Sequence, residues 1–233
     1  MHFPDPLIRG TLKRRYKRFL ADVELEDGSL VVAHCANSGS MLGLKEPDSE
    51  VWLSPARNPD RKLRYTWELL RFGDGLVGIN THLPNALVAD AIEDGTIPEL
   101  GGYETLRREV KYGKNSRIDI LLESDGKPRC YVEVKNVHLM REESLAEFPD
   151  AVTARGTKHL VELSDMVAEG SRAVMMYLVQ RVDCSTFSLA NDIDPTYAAA
   201  FAKARAAGVE VLCYTCTITT EGIDVSHPLP LGV

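Results

Sequence analysis

The chain has 233 residues, of which 44% are hydrophobic and 26% are charged, and its formal net charge is −7. These values are typical of a globular chain of one or two domains, and they argue against a surface devoted entirely to nucleic-acid binding. No apolar run approaches the roughly 20 residues of a spanning helix, and the N-terminal segment lacks the apolar centre of a secretory signal. Five cysteines without a secretory framework predict a reducing, cytoplasmic compartment.

The first 80 residues have the texture of a small β-barrel. An Asp-Gly pair at Gly28 lies between two alternating segments and predicts a hairpin. Three more strand-like segments follow, with the sequences SEVWLSPA, KLRYTWELLRF and DGLVGIN. Five short strands in this length predict an OB-like β-barrel domain over residues 1–80. The apolar alternation changes phase within the first strand, which predicts a bulge near Lys17.

From residue 81 the apolar period changes from two to 3.6, which marks a second predicted domain over residues 81–233. We predict helices at 84–94, at 151–169 with Asp150 as N-cap, and at 195–207. The predicted strands are TLRREVKYG, SRIDILLE, CYVEVKNV, AVMMYLVQ and VEVLCYTCTI. This order predicts an αβββαβ domain with a mixed sheet, so the fold class is α/β (α+β). A loop is expected after CYVEVKNV and an extended tail at SHPLPLGV.

Two acids and a lysine occupy neighbouring predicted strands. Side chains alternate in CYVEVKNV, so Glu133 and Lys135 share one face within an apolar run. In the preceding strand, Asp119 stands where valine would be favoured. A two-residue turn between these strands would place the two acids on opposite faces, and a three-residue turn with Gly126 left-handed would place them on one face. We predict the three-residue turn.

A shared face for Asp119 and Glu133 predicts a metal site. Two carboxylates about 4 Å apart repel by roughly 4 kcal/mol at an effective dielectric of 20, so they need a cation or a shifted pKa. Mg²⁺, with Mn²⁺ as a substitute, suits such a small oxygen-ligand set. Asp119 and Glu133 are then the metal ligands and Lys135 orients or deprotonates a water molecule. The alternative is a structural ion pair between Glu133 and Lys135 on a solvated sheet face.

Basic residues concentrate in three segments. The first segment contains the predicted nucleic-acid contacts Lys13, Arg14, Arg15, Tyr16, Lys17 and Arg18. Its cations repel one another unless a polyanion balances them, and its tyrosine can stack on a base. A second group comprises Arg107, Arg108, Lys111, Lys114 and Arg117. On helix 151–169, Arg155, Lys158 and His159 avoid the apolar stripe and predict a phosphate-facing side. The alternative for each group is a solvated surface.

Two other motifs favour structural interpretations. CYTC at residues 213–216 has C-x₂-C spacing, but it has no second ligand pair and lies in a predicted strand, which favours buried strand cysteines over a zinc or redox site. NSGSMLG at residues 37–43 lacks the Gly-Lys-Ser ending of a phosphate-binding loop and is interpreted as a barrel loop.

The pattern of Asp119, a strand turn and then E-x-K resembles the PD-(D/E)xK nuclease-like core, whose element order is also αβββαβ. Nearly the whole chain is similar to the sugar fermentation stimulation protein A family. The similar segments include RRYKRFLADVEL, GSMLGL, THLPNALV, YETLRREVKYG, SRIDILL, YVEVKNV, FPDAVTARGTKHL and DIDPTYA. The resemblance implies an OB domain joined to a nuclease-like domain, DNA binding, and an association with regulation of sugar use.

On that resemblance Asp119, Glu133 and Lys135 take the positions of the nuclease triad. The nuclease pattern often supplies a further acid from the upstream helix, where this chain has Asn85 at the start and Glu93 at the end. Three functions therefore remain open. They are an Mg²⁺-dependent phosphodiesterase, a non-catalytic DNA-binding regulator of sugar metabolism genes, and a small-molecule binding or metabolic protein without salt-dependent DNA affinity.

Overall fold

The computed structural model describes residues 1–113 and 116–232. The first six strands form one sheet, and they are β1 (Ile8–Tyr16), β2 (Leu20–Leu25), β3 (Leu30–Cys35), β4 (Glu50–Pro55), β5 (Tyr65–Phe72) and β6 (Gly75–Gly78). Their order is β3-β2-β1-β4-β5-β6, and parallel pairing of β3 with β5 closes a five-stranded ring. Leu12, Leu53 and Trp67 are fully buried inside it. The predicted OB-like barrel is confirmed, with β6 paired outside the ring.

The first predicted strand is in fact two strands, β1 and β2, separated by a short turn. Lys17 and Arg18 form this turn with φ angles of 48° and 64°, in a left-handed region that residues other than glycine rarely adopt. The register of β1 against β2 shifts between Leu12 and Arg14, so the bulge predicted near Lys17 is wrong. The predicted hairpin between β2 and β3 is confirmed, and Gly28 at its turn has a φ of 82°.

In the part of the chain that the structure describes, the residues after β6 build a six-stranded mixed sheet, a small three-stranded sheet and three α-helices. The elements are α1 (Pro84–Glu93), β7 (Thr105–Tyr112), β8 (Ser116–Glu123), β9 (Cys130–Val137), β10 (Leu139–Glu142), β11 (Leu145–Phe148), α2 (Ala154–Ala168), β12 (Arg172–Val179), β13 (Thr186–Leu189), α3 (Pro195–Ala206), β14 (Glu210–Ile218) and β15 (Ile223–Pro228). The large sheet has the order β15-β14-β12-β9-β8-β7, with β9, β12 and β14 parallel. The predicted αβββαβ order is confirmed by α1, β7, β8, β9, α2 and β12.

Both faces of the large sheet are covered. Helix α1 packs Leu87 and Val88 against Val132 of β9 on one face, and α2 and α3 pack Leu163 and Tyr197 on the other. A strand buried on both faces needs a continuous apolar run rather than an alternating one. Strand β12 has such a run, and each residue from Ala173 to Val179 is 0% exposed. The five cysteines are all buried and free, which confirms the structural interpretation of CYTC.

Four predicted details of the second half are wrong. Helix α2 begins after Thr153, whose hydroxyl oxygen accepts from the Gly156 amide at 3.0 Å, so Asp150 is not the N-cap. Val152, which falls inside the predicted helix 151–169, is 76% exposed because it precedes the helix in the structure. The loop predicted after β9 contains β10 and β11, and the predicted tail is paired with β14 as far as Pro228.

Asp150 instead joins the barrel to the second half of the chain. Its carboxylate accepts from the Ser40 hydroxyl and from the Met41 amide, each at 3.3 Å, and lies 3.4 Å from His138 Nε2. The barrel loop approaches so closely that a Cβ at Gly39 would lie 2.4 Å from Asp150 Oδ2. The loop NSGSMLG thus serves as a docking loop between the two parts of the fold.

We expect Asp150 to make the stability of the protein sensitive to acid. Burial opposes its ionisation, but the hydrogen bond and charge of His138 and the donors of Met41 and Ser40 outweigh burial and lower the pKa of Asp150 to about 2. The ionised form therefore stabilises the fold above the unfolded pKa, and this contribution is lost as the pH falls from about 4 to about 2. Asp150→Asn should cost about 2 kcal/mol at neutral pH, on the order expected from the shift. The melting temperatures of the wild type and of Asp150→Asn should converge as the pH falls from about 4 to about 2. A difference that stays constant with pH would contradict this account.

Candidate functional site

The hairpin of β8 and β9 brings Asp119 opposite Glu133. The strands pair Leu122 with Cys130 and Ile120 with Val132, and continuing this register opposes residue 119 to residue 133. Residues 124–129 lie between the two strands, so the connection is longer than the predicted three-residue turn, but the register of the strands has the predicted pairing parity. Gly126 at φ 76° is left-handed, as predicted.

Strands β8 and β9 separate at Asp119. Their backbone ladder ends at the pair of Ile120 and Val132, and Asp119 Oδ2 accepts from the Val134 amide at 2.7 Å in place of a backbone bond. The strand also changes faces here, because Ile118 packs in the cluster beneath α2 and Ile120 packs in the cluster beneath α1. Asp119 therefore sits in the opening between two strands, where both helix layers are within reach. Asn85 at the start of α1 donates to Asp119 Oδ1 at 2.8 Å.

Glu133 is held by two basic side chains and is almost entirely buried. Only 2% of its surface is exposed. Lys135 Nζ donates to Glu133 Oε1 at 2.6 Å, and His159 Nδ1 of helix α2 contacts the same oxygen. Arg155 Nε donates to His159 Nε2 at 3.3 Å, which requires the ring proton on Nδ1, where it is donated to Glu133. Glu133 Oε2 is buried and accepts no hydrogen bond from the described residues.

The electrostatic environment separates the pKa values of the two acids. Burial, followed by the charge of Glu133, raises the pKa of Asp119 to about 6. Burial acts in the same direction on Glu133, but the hydrogen bond from His159 and the charge and hydrogen bond of Lys135 outweigh it and lower the pKa of Glu133. Burial and the same carboxylates raise the pKa of the nearby Tyr112 hydroxyl. A cation placed beside Asp119 would therefore find a site where positive charge is favoured.

A cationic cleft of about 600 Å³ opens beside His159. Its lining residues are Glu109, Lys111, Tyr112, Gly113, Ser116, Arg117, Arg155, Lys158 and His159. Lys158 is held 3.1 Å from the Ser116 hydroxyl, whereas Lys111 and Arg117 are exposed and form no ion pair with the residues that the structure describes. The cleft therefore presents positive charge next to His159, the contact of the buried Glu133. Lys114, predicted in the same basic group, lies outside the described residues.

The structure brings together only part of the predicted basic surface. Arg155 and Lys158 reach the cleft as exposed cations, but His159 is 4% exposed and faces Glu133. Its contacts assign it to the carboxylate rather than to a direct phosphate contact. Arg107, predicted with the second group, is ion-paired with Glu123 at 2.5 Å.

The barrel cluster is largely neutralised within the protein. Lys13 pairs with Glu24 at 2.6 Å, and Arg14 pairs with Asp22 at 2.7 Å while its guanidinium lies over the Tyr16 ring. The other members have no carboxylate partner among the described residues. Arg15 donates to the carbonyl oxygens of the docking loop at positions 37 and 39, and Lys17 and Arg18 project from the strained turn. Internal contacts thus leave this turn as the main source of available charge in the cluster.

Sequence reasoning missed two residues of this site. Asn85 Nδ2 lies 2.8 Å from Asp119 Oδ1 and 3.1 Å from Glu109 Oε1, so it links two strands to α1. The sequence places Asn85 at the start of α1, but it does not show that the side chain bonds Asp119 and Glu109. Glu109 was hidden in the alternating charges of TLRREVKYG, since no local pattern distinguishes it from its neighbours.

The carboxylate groups at this site are chemically suited to bind a divalent cation. They do not surround a single position in the structure. No three His, Cys, Asp or Glu side chains converge on a common metal position within residues 1–113 and 116–232. Glu133 Oε2 nevertheless remains a buried carboxylate oxygen without a donor, next to an acid whose ionised form is disfavoured. Carboxylate oxygens in a partly open site are the ligands that Mg²⁺ and Ca²⁺ take.

Across the described chain, no helix is long and apolar enough to cross a membrane.

An OB-like barrel followed by an αβββαβ mixed sheet, with the half-buried Asp119 and the buried Glu133 where two strands separate, defines the class of this mixed α/β protein. Family models agree with both parts, since the SfsA N-terminal OB domain matches residues 14–79 and the sugar fermentation stimulation protein RE domain matches residues 82–222. The chain belongs to the sugar fermentation stimulation protein (SfsA) family.

Relatives cover the chain from end to end. The sugar fermentation stimulation protein homolog of Paramagnetospirillum magneticum is 60% identical over 233 residues, covering 100% of this chain and 98% of the relative. The homolog of Brucella ovis is 55% identical over 231 residues and covers 99% of this chain and 97% of its own. The structure of Pyrococcus furiosus SfsA in complex with Ca²⁺ superimposes with a TM-score of 0.90 at 26% identity, over 100% of this chain and 98% of that one.

Proposed function

We propose that this protein binds DNA in the cationic cleft and hydrolyses a phosphodiester bond with Mg²⁺ held by Asp119 and Glu133. The observation that carries the proposal is the buried, donor-free Glu133 Oε2 beside Asp119, since Glu133 contacts His159, which lines a cleft together with Lys111, Arg117 and Arg155. Phosphate oxygens fit the cleft and a hard cation fits the acids. The Ca²⁺ complex of Pyrococcus furiosus SfsA supports a divalent cation in this fold.

The chain's own residues have distinct parts in this reaction. Arg155, Lys111 and Arg117 bind the DNA backbone by charge, without reading sequence. Lys135, fixed by Glu133 at 2.6 Å, holds an ammonium group where it can orient water or stabilise charge on a phosphoryl oxygen. Bound Mg²⁺ would supply charge neutralisation and a more acidic water molecule.

A second candidate function is a non-catalytic DNA-binding regulator of sugar metabolism genes with the same fold. It is favoured by the hydrogen bonds that already occupy Asp119. Its Oδ1 accepts from Asn85 and its Oδ2 accepts from the Val134 amide. In this function Asp119 links the strands structurally, and the cationic cleft binds DNA without cutting it.

One experiment separates these functions. Purified protein is incubated with linear and branched DNA, with and without Mg²⁺ or Mn²⁺, beside Lys135→Ala and the control Lys203→Ala on the remote helix α3. We expect metal-dependent cutting that falls by roughly 10²–10³-fold in Lys135→Ala, as for the loss of one transition-state donor, and persists in Lys203→Ala. Gel shifts without cutting would support the regulator. Absence of salt-dependent DNA affinity would overturn both proposals in favour of a small-molecule function.

A further inference from the structure

Glu109 stands across from Asp119 on the opposite side from Glu133. Strands β7 and β8 pair Arg108 with Ile120 and Val110 with Ile118, and the position between these pairs opposes residue 109 to residue 119. With the β8 to β9 register, the row across three adjacent strands is Glu109, Asp119 and Glu133. Three carboxylates in one row repel one another unless cations or hydrogen-bond donors balance their charge.

The backbone at Glu109 is built in an unusual conformation. Its φ of 54° is left-handed, within a strand and at a residue other than glycine, asparagine or aspartate. The change of conformation lets β7 change faces, since Leu106 packs in the cluster beneath α1 and Tyr112 packs in the cluster beneath α2. The same change occurs in β8 at Asp119, so both acids are presented at one opening in the sheet.

Two contacts connect Glu109 to the site already described. Asn85 Nδ2 donates to Glu109 Oε1 at 3.1 Å and to Asp119 Oδ1 at 2.8 Å, so a single amide group bridges the two acids. Beyond Asp119, the 2% exposed Glu133 keeps Oε2 without a donor from the described residues. This buried, unpartnered carboxylate oxygen is a second observation, separate from the row of acids, that favours a cation ligand at this site.

We propose that Glu109 is a third carboxylate ligand for a divalent cation shared with Asp119 and Glu133, an assignment that rests on the proposed cation site. Glu109 is exposed and is held by one amide hydrogen bond, so its side chain is free to exchange that donor for a cation. A hard cation such as Mg²⁺ or Ca²⁺ gains affinity with each added carboxylate. The left-handed backbone at Glu109 then directs this side chain toward the cation.

Ca²⁺ titration of the full-length protein without DNA tests the assignment by calorimetry. Glu109→Gln keeps the size of the side chain and removes its charge, and Glu104→Gln on the approach to the same strand is the matched control. We expect Glu109→Gln to weaken Ca²⁺ binding by about tenfold and Glu104→Gln to leave it unchanged. Glu109→Gly should also weaken binding while its melting temperature stays equal to or above that of the wild type, because glycine accepts the left-handed conformation.

The outcomes distinguish this assignment from the proposed hydrolysis. Unchanged Ca²⁺ affinity in Glu109→Gln would overturn the role of Glu109 and leave DNA cutting by the other residues intact. Weaker Ca²⁺ binding in a protein that cuts no DNA would support Glu109 as a ligand and remove the proposed hydrolysis. A wild type that binds no Ca²⁺, Mg²⁺ or Mn²⁺ would overturn both.

Discussion

Replacing Lys111, Arg117 and Arg155 together by glutamine should weaken DNA binding by about 10²–10³-fold at 0.1 M salt. Each phosphate contact that is lost removes about 0.9 from the slope of log affinity against log salt, so the slope should fall by about 3. The reason is structural, because these three side chains line the cleft and Lys111 and Arg117 are not neutralised by described carboxylates. Fluorescence anisotropy over a series of salt concentrations measures both quantities.

A matched variant removes three positive charges that are already neutralised. Lys13, Arg14 and Arg57 pair with acids at 2.6, 2.7 and 2.8 Å, so their joint replacement by glutamine changes net charge equally. We expect that variant to keep most of its affinity and nearly the whole salt slope. Equal losses in the two triple variants would mean that DNA responds to net charge alone, and the cleft would lose its assignment. Circular dichroism of each variant confirms that it is folded.

The sequence predicts those parts of the fold that local patterns encode. The Asp-Gly turn at Gly28 and the helix beginning at Pro84 carry their own signals, and both are present. The turn at Lys17 and Arg18 carries none, because neither residue favours a left-handed backbone, and so two strands were predicted as one. The N-cap of α2 was misplaced for a different reason. Asp150 and Thr153 are both good capping residues, and only the contact of Asp150 with the barrel loop decides between them.

The candidate site also has features that the sequence predicts and features that it does not. Strand alternation was sufficient to place Glu133 and Lys135 on one face, and the parity of the turn was sufficient to predict Asp119 on the side of Glu133, although the predicted turn was too short to give the exact pairing. The end of the backbone ladder at Asp119 was not predictable, since it depends on the separation of two strands over a helix terminus. His159 is another case, because its position away from the apolar stripe suggested a solvent-facing side chain. Its burial against Glu133 depends on how α2 crosses β9, which no single-element pattern contains.

Replacing Arg181 by alanine should cost about 3 kcal/mol of unfolding free energy, the scale for breaking a buried ion pair. Arg181 is 1% exposed, donates twice to Asp183 at 2.9 and 2.7 Å, and donates to the His138 carbonyl at 3.0 Å. Its guanidinium lies 4.5 Å from the centre of the Phe72 ring of the barrel. The substitution therefore removes the ion pair with Asp183 and the cation–π contact with Phe72. It also leaves a cavity between the barrel and the sheet. Asp183 remains 29% exposed and can be hydrated, which keeps the cost near the low end of the range.

Urea denaturation followed by circular dichroism and by fluorescence of Trp52 and Trp67 measures this cost. Both tryptophans lie in the barrel, so their signal reports the part of the fold that Arg181 contacts through Phe72. The control is Arg129→Ala, which breaks an ion pair with Glu123 at 2.9 Å whose arginine is 63% exposed, and which should cost less than about 1 kcal/mol. The double variant Arg181→Ala with Asp183→Ala should regain part of the loss, because no charge is then left without its partner. Equal costs for Arg181→Ala and Arg129→Ala would show that Arg181 fills space without contributing an ion pair. A cost confined to circular dichroism would place its contribution in the large sheet and remove the assigned link to the barrel.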